Sequence, residues 1–253
     1  MLAAPIINMG IYYKMKKLFI IKTGKTFKNT LEENGDFEDW VIKRIDNENL
    51  EKKVIDIQAG HPLPNLEECA GVVLTGSHSM VTDEEPWSLK IEKWIPSLIE
   101  NSIPLLGICY GHQLLAKSMQ GFSTYHKKGM EIGTVNISLT KEAKDDELFK
   151  DLPESFKAHT IHSQTVEELP KDTIRLAFNT HDKNHGFRIG KNAWGVQFHP
   201  EYDKNIMKSY IKEVSKAKEL PLEELLNNVE ETKEANFVLK RFGEIVEKEV
   251  NND

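Results

Sequence analysis

Gly107-Ile108-Cys109-Tyr110-Gly111-His112-Gln113 carries the residue types of an activated thiol nucleophile. An apolar run, Ile103-Pro104-Leu105-Leu106-Gly107-Ile108, ends at Cys109, and a helical stretch from Tyr110 to Met119 begins directly after it. A nucleophile on a sharp strand-to-helix turn stands out from the top of a sheet. Glycines two residues to either side let that turn pack against neighbouring backbone without a Cβ clash. At a helix N-terminus the dipole and the free N–H groups favour a thiolate. A lone cysteine is otherwise a small buried hydrophobe, and the flanking glycines are what set Cys109 apart from that reading.

A thiol nucleophile needs a base, and the base needs an orienting group. Gly195-Val196-Gln197-Phe198-His199-Pro200-Glu201 offers both. His199 follows an apolar strand, so it projects from the same carboxyl edge of a sheet, far along the chain from the cysteine, as a partner in space does. Glu201 reaches the second imidazole nitrogen, the role of the acid in a Ser-His-Asp set. On its own this segment reads as a structural turn; beside Cys109 it completes a Cys-His-Glu array.

Other motifs carry less. Gly24-Lys25-Thr26 resembles the end of a phosphate-binding loop, but the position that needs the first glycine holds Phe19. Asn136-Ile137-Ser138 fits a glycosylation triplet, idle in a cytoplasmic protein. No pair of the nine histidines sits at clear i, i+4 helical spacing beside a carboxylate, and Cys69 has no cysteine nearby, so no metal site is expected. No cofactor is expected either.

These residues must be positioned by a sheet. Met15 and Lys16-Lys17-Leu18-Phe19-Ile20-Ile21 open a first buried strand, with residues 1–14 read as an upstream extension or loose arm. Val54-Ile55-Asp56-Ile57, Gly71-Val72-Val73-Leu74 and the run ending at Ile108 supply more strands. Trp87, Ile91, Trp94, Ile95 and Leu98 lie at helical spacing between the last two. Apolar strands alternating with helices predict an α/β fold, a doubly wound, mostly parallel sheet. Residues 131–198 then hold short strand-like runs separated by turn residues: Gly133–Ile137, Thr173–Phe178 and Ala193–Phe198. Helix returns from about Asp203, and a helical extension over about 219–250 reads as an amphipathic pair that covers its own core or mediates a homodimer. One domain spans 1–253, its core about 15–218.

The 253 residues carry a net charge of −7 and 39% hydrophobic residues. That composition is globular, and its acidity argues against a dedicated nucleic-acid binder. No apolar run approaches the ~20 residues of a membrane span. Two cysteines are too few for a disulfide framework, and a cytoplasmic location follows.

At Gly-Ile-Cys-Tyr-Gly-His-Gln and Gly-Val-Gln-Phe-His-Pro-Glu the chain resembles the class I glutamine amidotransferases, the Cys-His-Glu type found in GMP synthetase and carbamoyl-phosphate synthetase. The resemblance runs from about Lys16 to Tyr210, and it extends to stand-alone members such as plant-type γ-glutamyl peptidases. It implies a doubly wound sheet with its site at the carboxyl ends of the strands. It also implies Cys109, His199 and Glu201 as the catalytic triad. Leu74-Thr75-Gly76-Ser77-His78 matches the oxyanion-strand motif, with Ser77 and His78 in place of a Gly and a Pro. The oxyanion hole then falls to the N–H groups of Gly76 or Ser77 and of Tyr110, donors worth about 3 kcal/mol each. Gln113, His162, Ser163 and Gln164 match substrate-binding positions, His162 serving equally as a structural histidine.

Three uses of such a site stand open. The first is a glutamine amidotransferase that hands ammonia to a separate synthase subunit docked on an apolar patch. The second is a free-standing hydrolase of γ-glutamyl peptides or amides with no partner. The third is a non-catalytic binding or stress-sensing protein. The small-molecule substrate is glutamine or a γ-glutamyl compound in the first two.

Overall fold

The computed structural model describes residues 16–252, and the expectation for residues 1–14 lies outside them. Strand β1 (Lys17–Lys22) leads into helices α1 (Lys28–Asn34) and α2 (Phe37–Ile45). Asp36 starts α2 through a capping box with Asp39, and Lys43 and Arg44 sit favourably in its last turn. Strands β2 (Lys52–Asp56) and β3 (Cys69–Leu74), helix α3 (Pro86–Glu100), strand β4 (Leu105–Ile108) and helix α4 (Tyr110–Ser118) follow. Then come strands β5 (Phe122–Tyr125), β6 (Glu131–Leu139), β7 (Ser155–His162), β8 (Gln164–Glu168), β9 (Ile174–Phe178), β10 (Gly186–Ile189) and β11 (Ala193–Val196). Helices α5 (Lys204–Ser215), α6 (Leu222–Asn227) and α7 (Lys233–Asn252) close the chain.

The main sheet runs β2-β1-β3-β4-β11-β10-β9-β6-β7, with β5 and β8 paired in a separate ribbon. From β2 through β11 every pairing is parallel. From β11 to β7 every pairing is antiparallel. Strands β3, β4 and β11 are buried along their whole length, which is why they read as unbroken apolar runs. Alternate residues feed two cores. Leu18, Ile20, Val73 and Leu106 pack with α2 and α7 on one face. Phe19, Ile21, Val72 and Leu105 pack with α3 and α4 on the other.

The C-terminal helices form as the amphipathic pattern predicts. The apolar stripe of α7, with Val238, Phe242 and Val246, is buried in the first of those cores, so it covers its own chain. Gly71 makes this packing close: a Cβ there would lie 2.6 Å from Val246 Cγ2. No helix among the described residues is long and apolar enough to cross a membrane.

Because β4 lies between β3 and β11, the carboxyl ends of these three strands are adjacent. One leads to Thr75–His78, one to Cys109 and one to His199.

Candidate active site

Cys109 sits at φ 50°, ψ −95°, between β4 and α4. A positive φ is uncommon outside glycine and marks a backbone held by its surroundings. The turn is held by Cys109 N–H donating to Val196 O (2.8 Å) and by Gln113 N–H donating to Cys109 O (3.1 Å). A Cβ on Gly107 would lie 2.4 Å from Gly111 O, and one on Gly111 would lie 2.6 Å from Leu74 O. Both glycines are therefore required by the close approach of backbone. The thiol is 3.6 Å from Ile161 O.

His199 is buried beside it. Its backbone N–H donates to His159 O (2.8 Å), and its Nδ1 donates to Glu201 Oε1 (2.8 Å). Its Nε2 has no completed hydrogen bond, while Cys109 lies close enough to act on the ring. Such approaches tighten when substrate arrives. Tyr202 stacks on the imidazole at 4.1 Å between centroids. Burial alone would lower the His199 pKa; the Glu201 carboxylate and the Cys109 thiol outweigh it and hold it above the ordinary imidazole range. The ring is thus favoured in its protonated form beside the Cys109 thiol.

The oxyanion candidates lie alongside. Gly76 abuts the base: a Cβ there would be 3.1 Å from His199 Cε1. Two buried threonines fix this loop, since Thr23 Oγ1 donates to Gly76 O (3.0 Å) and Thr23 N–H donates to Thr75 Oγ1 (3.1 Å). Ser77 Oγ accepts from Ser79 N–H (3.1 Å). The N–H groups of Gly76, Ser77 and Tyr110 make no hydrogen bond among the described residues, and all three remain candidate oxyanion donors. Gly24, singled out by its chance likeness to a phosphate loop, lets β1's loop approach Ser77, whose Oγ would lie 2.7 Å from an added Cβ.

The four substrate-binding candidates divide. Gln113 Nε2 donates to Gln164 O (2.8 Å) and Gln197 Oε1 (3.0 Å), leaving its Oε1 without a protein partner among the described residues. Ser163 lines the cavity. Gln164 uses its amide internally, accepting from Val81 N–H (3.0 Å) and donating to Thr82 Oγ1 (2.6 Å). His162 is hydrogen-bonded at both nitrogens, Nδ1 with Gln164 O (2.8 Å) and Nε2 with Glu131 Oε2 (3.0 Å). Both ring nitrogens are thereby engaged within the protein.

Sequence spacing missed the residues around that histidine. Glu131, His162 and His185 bring three donor atoms within 4.8 Å of one another, a set that could hold a metal ion. In the hydrogen-bonding scheme here Glu131 accepts from both histidines and from Asn179 Nδ2 (2.7 Å). Burial would raise the Glu131 pKa, and the two histidines hold it well below the usual carboxylate range. Also missed were Phe27, Tyr202 and Tyr210, which with His78 of the oxyanion-strand motif set rings along the cavity near His199. No periodicity marks them, because they come from separate segments.

The chain matches the class I glutamine amidotransferase family over residues 30–215. γ-Glutamyl peptidase 4 of Arabidopsis thaliana is 32% identical over 145 residues, which are 56% of this chain and 58% of the peptidase. A GMP synthase of Borreliella burgdorferi is 27% identical over 194 residues, 74% of this chain and 36% of the synthase. The matched part is thus little more than half of the one relative and about a third of the other. A glutamine amidotransferase from Thermotoga maritima superposes with a TM-score of 0.72 at 25% identity, covering 93% of this chain and 98% of that one. The family match takes in well over half of the chain and the whole Cys109-to-Glu201 span. This chain belongs to the class I glutamine amidotransferase family.

Proposed function

We propose that the chain is a free-standing hydrolase of γ-glutamyl amide bonds, acting through a glutamyl thioester on Cys109. The observation that carries the reading is the array Cys109, His199 and Glu201, with unpaired N–H groups beside it. Cys109 thiolate attacks the γ-carbonyl carbon, and the carbonyl π electrons move to oxygen. Gly76 or Ser77 and Tyr110 donate to that oxyanion. His199 gives its Nε2 proton to the leaving nitrogen as the C–N bond breaks, and the amine departs. The thioester no longer holds a proton on the ring as the thiolate did, so neutral His199 takes a proton from water. Hydroxide adds to the thioester, Cys109 leaves, and glutamate is released. Glu201 orients the ring throughout. In this reading Gln113 contacts the bound substrate, and Ser163 lines the same cavity.

A peptide or a larger amide is favoured over glutamine by the cavity of about 250 Å³, whose lining includes Val214 and Lys218 as well as Cys109 and Gln113. Likeness to a γ-glutamyl peptidase supports the same choice. Two buried free cysteines support a cytoplasmic setting. The test is glutamate release from glutamine, γ-glutamyl dipeptides and a glutathione-type tripeptide, each beside Cys109→Ala. Turnover of γ-glutamyl peptides by the parent and none by the variant is expected. Turnover of glutamine alone would favour an amidotransferase serving a separate synthase, the arrangement that the match to GMP synthase supports. Equal rates in parent and variant would overturn the triad.

A further inference from the structure

In the hydrolase reading, the leaving nitrogen takes its proton from His199, so whatever it carries lies on the His199 side of Cys109. What stands there is a wall of rings. His199 stacks on Tyr202 at 4.1 Å; Tyr202 meets Tyr210 at 5.0 Å; Tyr210 meets Phe27 at 5.2 Å; Phe27 meets His78 at 4.3 Å. The wall is built rather than accidental. Tyr210 OH is hydrogen-bonded to Thr26 Oγ1 (2.8 Å) and His78 Nε2 (3.2 Å). Desolvation by the neighbouring rings and the charge on His199 keep His78 below its ordinary pKa, so it faces the cavity as a neutral ring. Phe27 is only half-buried and His78 keeps one side exposed, which leaves apolar ring surface open to the cavity.

The remaining outer lining adds Met130 and Val214, both half-buried, and Lys218 at the rim. Lys218 Nζ lies 3.7 Å from Met130 Sδ and has no carboxylate partner among the described residues. The lining acid, Glu213, is already engaged by Lys216 (2.7 Å) and Asn29 (2.7 Å). The chamber is therefore apolar inside, with one unpaired cation at its edge. Ammonia would use none of this.

We propose that this outer chamber is a leaving-group subsite for the second residue of a γ-glutamyl dipeptide, taking an apolar side chain against Phe27, His78 and Tyr210 and the free carboxylate at Lys218. The inference rests on the hydrolase reading of Cys109, His199 and Glu201, and it narrows the substrate class within it.

The experiment uses the full chain and compares kcat/KM for γ-glutamyl-phenylalanine, γ-glutamyl-leucine, γ-glutamyl-glycine, γ-glutamyl anilide and glutamine. The phenylalanine and leucine peptides should exceed the glycine peptide by about 10-fold or more, the scale on which an apolar pocket discriminates. Val214→Asp should bring that ratio towards one. Lys218→Ala should lose about five-fold more on γ-glutamyl-phenylalanine than on the anilide, which has no carboxylate; the size is that of an exposed ion pair. Glycine peptide equal to or better than phenylalanine peptide would overturn the apolar subsite and leave the hydrolase standing. Equal losses on peptide and anilide in Lys218→Ala would overturn the carboxylate pairing. No release from any γ-glutamyl compound, with Cys109 still open to alkylation, would overturn the hydrolase reading and the subsite with it.

Discussion

The two halves of the sheet solve different problems with different chemistry. The parallel half, β2 through β11, buries its inner strands β3, β4 and β11 along their whole length and places Cys109, the Gly76–Ser77 turn and His199 at three neighbouring strand ends. Its site groups are held by backbone: a strained turn, glycines against carbonyls, free N–H groups. The antiparallel half buries polar residues instead. Glu131, His162, His185, Asp182 and Asn184 lie in its interior and are tied to one another or to nearby backbone. Cross-links of that kind hold the 161–164 segment against the cavity. Cys109, the Gly76–Ser77 turn and His199 are thus placed by strand ends, and the 161–164 segment of the cavity wall is placed by a buried hydrogen-bonded cluster. Variants in the first region should cost chemistry with the fold intact, and variants in the second should cost the fold first.

Cys109→Ala is the largest expected effect. Glutamate release should fall by more than about 1,000-fold, the scale on which nucleophile deletions act. Thermal melting followed by circular dichroism should move little, because alanine meets the same positive φ and leaves a void of one atom. A collapse in stability equal to the loss of activity would break the distinction between the halves.

Glu201→Gln comes next. An amide in place of the orienting carboxylate should lower kcat by about 100- to 10,000-fold, as loss of the acid does in comparable triads. The same change has a pH signature. A histidine with a raised folded pKa contributes stability that is fully present below its ordinary value of about 6.5, and that is lost as pH rises through the raised value. Glu201 and Cys109 do the raising. The parent should therefore lose this contribution on the alkaline side of neutrality, and the variant should lack most of it throughout. Melting temperatures measured from pH 6 to pH 9 in both proteins check the sign.

Legibility follows the same division. Strands β1, β3, β4 and β11 were readable because burial on both faces demands continuous apolar runs, β2 from its short run Val54–Ile57, and the Cys109 turn because glycine spacing is a backbone requirement. Glu201 at 2.8 Å from His199 agrees with a spacing of two residues. Helices α1 and α2 and strands β5, β7, β8 and β10 were not singled out, since they are short or carry buried polar residues at positions where pattern expects apolar ones. Glu131 pairs with a histidine 31 residues on and another 54 residues on, and nothing local announces either pairing. The ring wall is likewise assembled from separate loops and from α5.

Glu131→Ala probes the antiparallel half directly. It leaves two buried histidines without their shared acceptor, and an unsatisfied buried polar group costs about 1 to 3 kcal/mol. Urea unfolding should show that loss, while Glu131→Gln, which keeps an acceptor oxygen, should recover part of it. A carboxyl held low contributes stability that is present above its ordinary value of about 4.3 and is lost as pH falls through the depressed one. Mild acid near pH 5 should therefore leave the Glu131 contribution in place. Activity lost without any loss of stability would mean that Glu131 acts on the chemistry itself.

The smallest expected effect lies where the parallel half meets its own loop. A Cβ at Gly24 would be 2.7 Å from the Ser77 hydroxyl oxygen and 3.1 Å from the Ser77 main chain. The hydroxyl can swing away, at the loss of its bond from Ser79 N–H, but the added methyl then presses on the backbone of the turn that carries the Gly76 and Ser77 donors. Gly24→Ala should lower kcat several-fold, well below the full value of an oxyanion donor, because the turn shifts without losing an N–H. KM for a γ-glutamyl dipeptide should change less than kcat, since the Gly24 methyl presses on Ser77 and Gln113 lies apart on α4. Pairing it with Ser77→Gly removes the obstructing side chain and should restore most of kcat. Failure of that rescue would show that Gly24 matters through the β1 loop as a whole, and that the Gly76–Ser77 turn is less rigidly coupled to β1 than the buried Thr23 and Thr75 bonds imply.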